Sequence, residues 1–183
     1  MPSESDFDTI HNITPGRHLY QFYKREEDYL RIILPFFQAG LEKGEACLWL
    51  VSQKMGVERM RWAAERAIPH FSSYLISGEF TLYLAEDWYL EEGSFSEERA
   101  MKNVETFIGR TRQLGFSQVR GAGDAGCVPS QDMPYFQIYE KKVSGLIKTS
   151  STIALCAYPI LDCTLNTTKA VLEAHDDVLV GHL

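Results

Sequence analysis

Short apolar runs alternate along this chain with longer stretches in which apolar residues recur every three or four positions. The first run, His18-Leu-Tyr-Gln-Phe-Tyr23, alternates and is aromatic, which predicts a strand. Residues 26–41 follow as a helix. Glu26, Glu27 and Asp28 suit its N-terminus, and Tyr29, Ile32, Ile33, Phe36 and Phe37 recur at helical spacing. Pro35 inside this run is expected to kink the helix or to mark its boundary, and Gly40 and Gly44 supply the exit. Residues 46–51 are almost continuously apolar, the pattern of a parallel strand buried on both faces. A helix over 57–67 ended by Pro69, a strand over 80–84 and a loop of acids and aromatics over 86–93 come next. Ser96 opens a helix to about Leu114. Residues 116–122 read as a fourth strand, and a Gly/Pro-rich loop leads to a helix from Met133 or Tyr135 to Ile147. A fifth strand over 151–158, a helix capped by Thr164 or Asn166 and ending near His175, and a short strand over 178–180 complete the pattern. Strands alternating with helices predict an α/β three-layer sandwich, a mostly parallel sheet of five to six strands with helices on both faces. Residues 1–15, closed by Thr14-Pro15-Gly16, read as a mobile lead-in, and 16–183 as one domain.

Composition narrows the function classes. The 183 residues are 45% hydrophobic and 23% charged, which excludes a disordered or fibrous chain. Lys and Arg total 18 against 25 Asp and Glu, a net charge of −7 with no basic block, so direct nucleic-acid binding is not expected. No apolar run approaches the roughly 20 residues that would span a bilayer, and no membrane partner is expected. The acidic, polar N-terminus does not resemble a secretory signal. Cys47, Cys127, Cys156 and Cys163 are widely spaced and read as reduced thiols of a cytoplasmic protein.

The most conspicuous motif is Gly121-Ala-Gly123-Asp-Ala-Gly126, a literal G-x-G-x-x-G directly after a predicted strand. In a dinucleotide site such glycines let the backbone approach a pyrophosphate at a helix N-terminus. Here Pro129 and Pro134 delay the helix, and no acid ends a strand about 20 residues on. A strand-end loop that still borders a binding site is the preferred reading. At the first strand–helix junction the chain reads Lys24-Arg-Glu-Glu-Asp28 and has no glycine cradle for phosphate, so ATP hydrolysis by that route is not expected. His11, His18, His70, His175 and His182 are scattered with no metal-binding spacing, so neither a metal nor a cofactor is expected. Buried packing is the default for the cysteines, except Cys127, whose loop position suggests an exposed, reactive thiol. His175 is placed to complement a helix C-terminus. His18 opens a strand and reads first as a satisfied strand-end histidine, second as a ligand contact. Tyr135 and Tyr139 are one turn apart beside Glu140 and are expected to share a face, as core or as a polar-tipped pocket wall.

An ordered set of short motifs carries a family resemblance. It runs from His18-Leu-Tyr-Gln-Phe-Tyr23 through Phe36-Phe37-Gln-Ala-Gly40-Leu-Glu-Lys-Gly44-Glu45 into Cys47-Leu-Trp-Leu. It continues with Gly78-Glu-Phe80, Gly93-Ser-Phe95, and Gly115-Phe116 leading to Val119-Arg120-Gly121. It ends with Tyr139-Glu140, Cys156-Ala-Tyr158, and Glu173-Ala-His175 before Val178-Leu-Val180. Over residues 16–183 the chain resembles the MEDS domain, the methanogen/methylotroph DcmR sensory domain. The resemblance implies a non-catalytic sensory domain for a small hydrocarbon-like compound, with a fold similar to RecA/KaiC-type ATPases that has lost the phosphate loop. It implies a sensor kinase or transcriptional regulator as partner; a homodimer stays open. Asp124 stands for an acid expected after the fourth strand, but no Trp follows it. The chain is thus expected to bind a small molecule through His18, Tyr20, Tyr23, Trp49, Asp124, Cys127, Tyr139, Glu140, Cys156 and Tyr158 at the strand C-terminal ends, with no catalytic residue. A nucleotide-binding module or enzyme using the glycine motif, and a protein-interaction scaffold, are the alternatives.

Overall fold

Why the apolar runs end up side by side is plain from a computed structural model of the chain, which describes residues 9–179. The elements are β1 (Arg17–Tyr23), α1 (Glu26–Glu42), β2 (Ala46–Val51), α2 (Val57–Ala67), α3 (Phe71–Ser77) and β3 (Phe80–Leu84). There follow α4 (Ala85–Tyr89), the hairpin strands β4 (Leu90–Glu91) and β5 (Ser94–Phe95), α5 (Glu97–Gln113) and β6 (Val119–Asp124). The last are α6 (Met133–Thr149), β7 (Thr152–Pro159), α7 (Leu165–Ala174) and β8 (Asp177–Val178). Six strands pair in the order β3-β2-β6-β7-β1-β8, every pairing parallel. The expected three-layer α/β architecture is what forms. β2 is buried at all six positions, because helices cover it on both sides.

Each face of the sheet has its own core. On one face α1, α2 and α3 bury Phe36, Phe37, Met60, Phe71, Trp49 and Phe80. On the other, α4 to α7 bury Trp88, Tyr89, Phe107, Phe136, Tyr139 and Val171 against Leu48, Val119 and Tyr158. Alternation along each strand assigns neighbours to opposite faces, so Trp49 belongs to the first core and Leu48 and Leu50 to the second.

Several local expectations are corrected. Pro35 neither ends nor bounds α1, which runs through it to Glu42; the apolar face on both sides of the proline, Tyr29 to Leu41, is buried and outweighs one missing backbone bond. The acid-rich segment after β3 is ordered as α4 and a hairpin whose turn residues Glu92 and Gly93 both have positive φ, 51° and 82°, as a two-residue hairpin turn requires. α3, between Pro69 and Gly78, has no counterpart in the sequence reading. β6 starts later than expected and continues through Gly121 and Gly123, because β2 and β7 bond to it on both sides. Val180, expected in the last strand, and residues 1–8 of the lead-in lie outside the described residues. Ile10 already packs in the first core, ahead of residue 16. Ser96 and Thr164 cap α5 and α7 by accepting from Arg99 N and Thr167 N.

The first core contains a buried ion pair. Arg120 of β6 donates to Glu45 through Nε at 2.5 Å and Nη2 at 3.2 Å, and to the carbonyls of Phe36 and Ile10 through Nη1. A Cβ on Gly40 would meet the Arg120 Cδ at 2.8 Å, so the close passage of α1 over Arg120 requires glycine there. Among the described residues, no helix is long and apolar enough to cross a membrane.

Candidate functional site

The glycine motif does not form a phosphate loop. Gly121 and Gly123 lie within β6, on the side facing α5 and α6, and α6 begins only at Met133. The missing side chain at Gly121 leaves room for a cavity of about 80 Å³, bounded by Leu48 and Leu50 from β2, Phe107 from α5, and Val143 from α6. A Cβ on Gly121 would come no nearer than 4.0 Å to another heavy atom, whereas one on Gly123 would run into the Tyr89 hydroxyl. The nucleotide alternative loses its loop for this reason. At the β1–α1 junction the largely buried Asp28 carboxylate accepts from Arg25 N at 3.1 Å and from Arg25 Nη2 at 3.0 Å, which occupies the helix N-terminus with the protein's own acid.

One wall of the cavity is polar. His18 from β1, Cys156 from β7 and Glu140 from α6 line it, and His175, the residue after α7, reaches them from behind. His18 Nε2 lies 3.3 Å from Cys156 Sγ and 3.3 Å from Glu140 Oε2. His175 Nε2 lies 3.1 Å from the same Glu140 oxygen, and Cys156 Sγ 3.7 Å from Glu140 Oε1. The two imidazole rings are 4.1 Å apart between centroids. His175 Nδ1 is 2.7 Å from the Val171 carbonyl, which can only accept, so this nitrogen carries the proton. The helix-end role expected of His175 is therefore filled by one ring nitrogen, while the other turns inward. Burial opposes charge on Glu140, but His175 and His18, when protonated, outweigh it and draw the carboxyl well below the usual range. Burial, then Glu140, pushes the Cys156 thiol well up.

Four of the residues expected from sequence, His18, Tyr139, Glu140 and Cys156, thus share this cavity. Tyr20 and Tyr158 lie just behind, with ring centroids 5.5 Å and 5.9 Å from that of His175. The other expected residues are elsewhere. Trp49 is in the first core, where Nε1 donates to Tyr29 Oη at 2.6 Å. Asp124, expected to face a crevice, is turned inward and fully buried: it accepts from Tyr23 Oη at 2.8 Å, from Gly126 N at 2.9 Å and from the Ser52 hydroxyl. Burial raises its carboxyl above the usual range despite these three donors. Cys127 lines a separate cleft of about 230 Å³ at the strand ends with Tyr158, Cys163 and Thr167. Its thiol donates to the Asp124 carbonyl at 3.4 Å, and burial, then Glu86 and Asp124, pushes it up. The expectation of an exposed, reactive loop thiol is corrected, because the sulfur is largely buried and its charged neighbours are carboxylates, which disfavour a thiolate. Tyr135 and Tyr139 do not share an environment: Tyr135 is 63% exposed and Tyr139 3%. The buried stripe of α6 runs Phe136, Tyr139, Glu140, Val143, Ile147, and Tyr135 falls on its flank.

The sequence reading missed that His175 joins His18, Glu140 and Cys156. These residues come from four elements, and no local spacing announces them.

Comparisons with known proteins bear on the fold and the family. The family model described as the methanogen/methylotroph, DcmR sensory domain (MEDS) matches residues 17–176. Among curated proteins none matches. Among solved structures, the chain is similar to the flagellar accessory protein FlaH from Methanocaldococcus jannaschii, with a TM-score of 0.53 and 10% sequence identity, over 96% of this chain and 76% of that one. At that identity the likeness is one of fold alone, a RecA-like α/β architecture.

Proposed function

The chain belongs to the MEDS family of sensory domains, and from that premise we propose that it is a non-catalytic sensor that takes a small, mostly apolar molecule into the cavity between β6 and α5–α6. The observation that carries this reading is the cavity itself: an apolar chamber opened at Gly121 in a central strand, with one polar wall. Protein interiors otherwise pack closely, and an opening of this kind is an exception. Its size sets the ligand class. An apolar cavity of about 150 Å³ holds benzene; a chamber of about 80 Å³ suits a smaller molecule, of about one to four heavy atoms. The apolar walls favour a hydrocarbon-like body, and the His18, Glu140 and Cys156 end favours one polar or polarisable group. The signal would pass to a kinase or transcriptional regulator, as partner or as attached region.

Methyl NMR of Leu48, Leu50 and Val143 during titration with short alcohols and halocarbons tests the reading. Saturable shifts from the smallest compounds are expected, fading as the ligand outgrows the chamber. They should vanish in Gly121→Val, whose side chain fills it. Shifts that persist unchanged in Gly121→Val would overturn the proposal.

A further inference from the structure

We propose that His18, Glu140, Cys156 and His175 form a binding site for one divalent transition-metal ion of the zinc class, at the polar end of the cavity. The four donor atoms all lie within 4.8 Å of one another. Metal–ligand bonds of about 2.0–2.3 Å in a tetrahedron place neighbouring ligand atoms about 3.3–3.8 Å apart. The contacts among His18 Nε2, Cys156 Sγ, Glu140 Oε2 and His175 Nε2, 3.3, 3.3 and 3.1 Å, fall at or near that spacing, and Cys156 Sγ lies 3.7 Å from the other carboxylate oxygen.

The hydrogen-bond inventory points the same way. Glu140 Oε2 and His175 Nε2 are buried, and although they approach each other closely, neither makes a hydrogen bond with acceptable alignment. His175 Nδ1 spends its proton on the Val171 carbonyl, so a neutral His175 turns a lone pair, not a proton, toward the Glu140 oxygen. Two lone pairs face to face repel unless a positive centre lies between them. Fixing one ring nitrogen by a backbone carbonyl while the other faces inward is also the usual second-shell support of a ligating histidine.

Donor chemistry selects the ion. Two imidazoles, a thiol sulfur and a carboxylate make a borderline-soft set that suits zinc and its neighbours and does not suit calcium or magnesium, which take oxygen. Charge agrees. A dication with one thiolate, one carboxylate and two neutral imidazoles is neutral overall, as a site this deeply buried requires. Binding releases the Cys156 proton to solvent as the thiolate forms.

The test uses Co²⁺ as probe on the full chain after chelator treatment, with no small molecule added. One equivalent of Co²⁺ should bind, with intense visible bands of tetrahedral cobalt and a thiolate-to-cobalt charge-transfer band in the near ultraviolet. Cys156→Ser should lose the charge-transfer band, and both Cys156→Ser and His175→Gln should weaken affinity at least about tenfold, while Cys127→Ser and His11→Gln change neither. Circular dichroism checks that each variant folds. Should Cys156→Ser not fold, His175→Gln and cobalt titration of the wild type decide alone. Binding below a tenth of an equivalent, or bands unchanged in Cys156→Ser and His175→Gln, would overturn the proposal. The measurement is separate from the methyl shifts that test the sensory reading: cobalt uptake without ligand shifts sinks only that reading, and ligand shifts without cobalt uptake sink only this one.

Discussion

The two faces of the sheet are built from the same strands yet differ in kind. Toward α1–α3, the large side chains interlock: the Trp49 ring lies 5.4 Å from Phe37, 6.2 Å from Tyr29 and 6.4 Å from Phe80, and the buried Arg120 is held by Glu45 and two carbonyls. Toward α5–α7, small and polar strand residues, Gly121, Gly123, His18 and Cys156, interrupt the large ones, Leu48, Leu50 and Tyr158. Gly121 leaves space, and His18 Nδ1, Glu140 Oε2, Tyr158 Oη and His175 Nε2 are buried without a hydrogen-bond partner. Unfilled space and unpartnered polar atoms both cost free energy. Five of the seven unpartnered buried polar atoms among the described residues lie on this side, which supports the proposal that this face carries recognition.

This contrast can be broken, and the largest effect should come from the filled face. Trp49→Ala should destabilise by about 3–5 kcal/mol in chemical denaturation, as for other buried aromatics; a cost below about 1 kcal/mol would mean that this core is no tighter than the other. On the open face the two glycines should part company. Gly123→Ala should cost about 1–3 kcal/mol through its clash with the Tyr89 hydroxyl, while Gly121→Ala stays within about 1 kcal/mol. Adding Tyr89→Phe should recover much of the Gly123→Ala loss, and a simple sum of the two single effects would show that the clash is not the cause.

Asp124, where β6 ends, gives a smaller effect that appears as a slope in pH. Burial raises its carboxyl in the folded state above the ordinary value. Between the unfolded and folded values, the native state holds a proton that the unfolded chain has released. The stability this group contributes is therefore full at low pH and lost as pH rises through the raised folded value. Denaturation midpoints compared across mildly acidic pH should fall less steeply in Asp124→Asn than in wild type; parallel curves would refute the assignment. The smallest effect is expected at Tyr135, where replacement by Ala should change stability by no more than about 0.5 kcal/mol because the ring is on the surface.

The layer order and most helices were legible in the sequence, because period-two and period-3.6 patterns report directly on which side of an element is buried. α1, β2, α2, β3 and α5 fall where the pattern places them. What was illegible depends on tertiary neighbours. Gly121 and Gly123 look like loop residues until β2 and β7 bond to both sides of them. His18, Tyr139, Glu140 and Cys156 were legible as candidates, but Trp49 and Asp124 were grouped with them because strand-end position does not reveal which face a side chain takes. His175 escaped because a long crossover connection, not local spacing, brings it to β1.

Arg120 and Gly121 are consecutive residues, so the thickness of a single strand separates the cavity from the guanidinium that grips the carbonyls of Phe36 and Ile10. A ligand seated against Gly121 would therefore sit one backbone away from the guanidinium that ties Glu45, the Phe36 carbonyl of α1 and the Ile10 carbonyl together. Cavity and leading segment are thus neighbours across one strand, although neither touches the other.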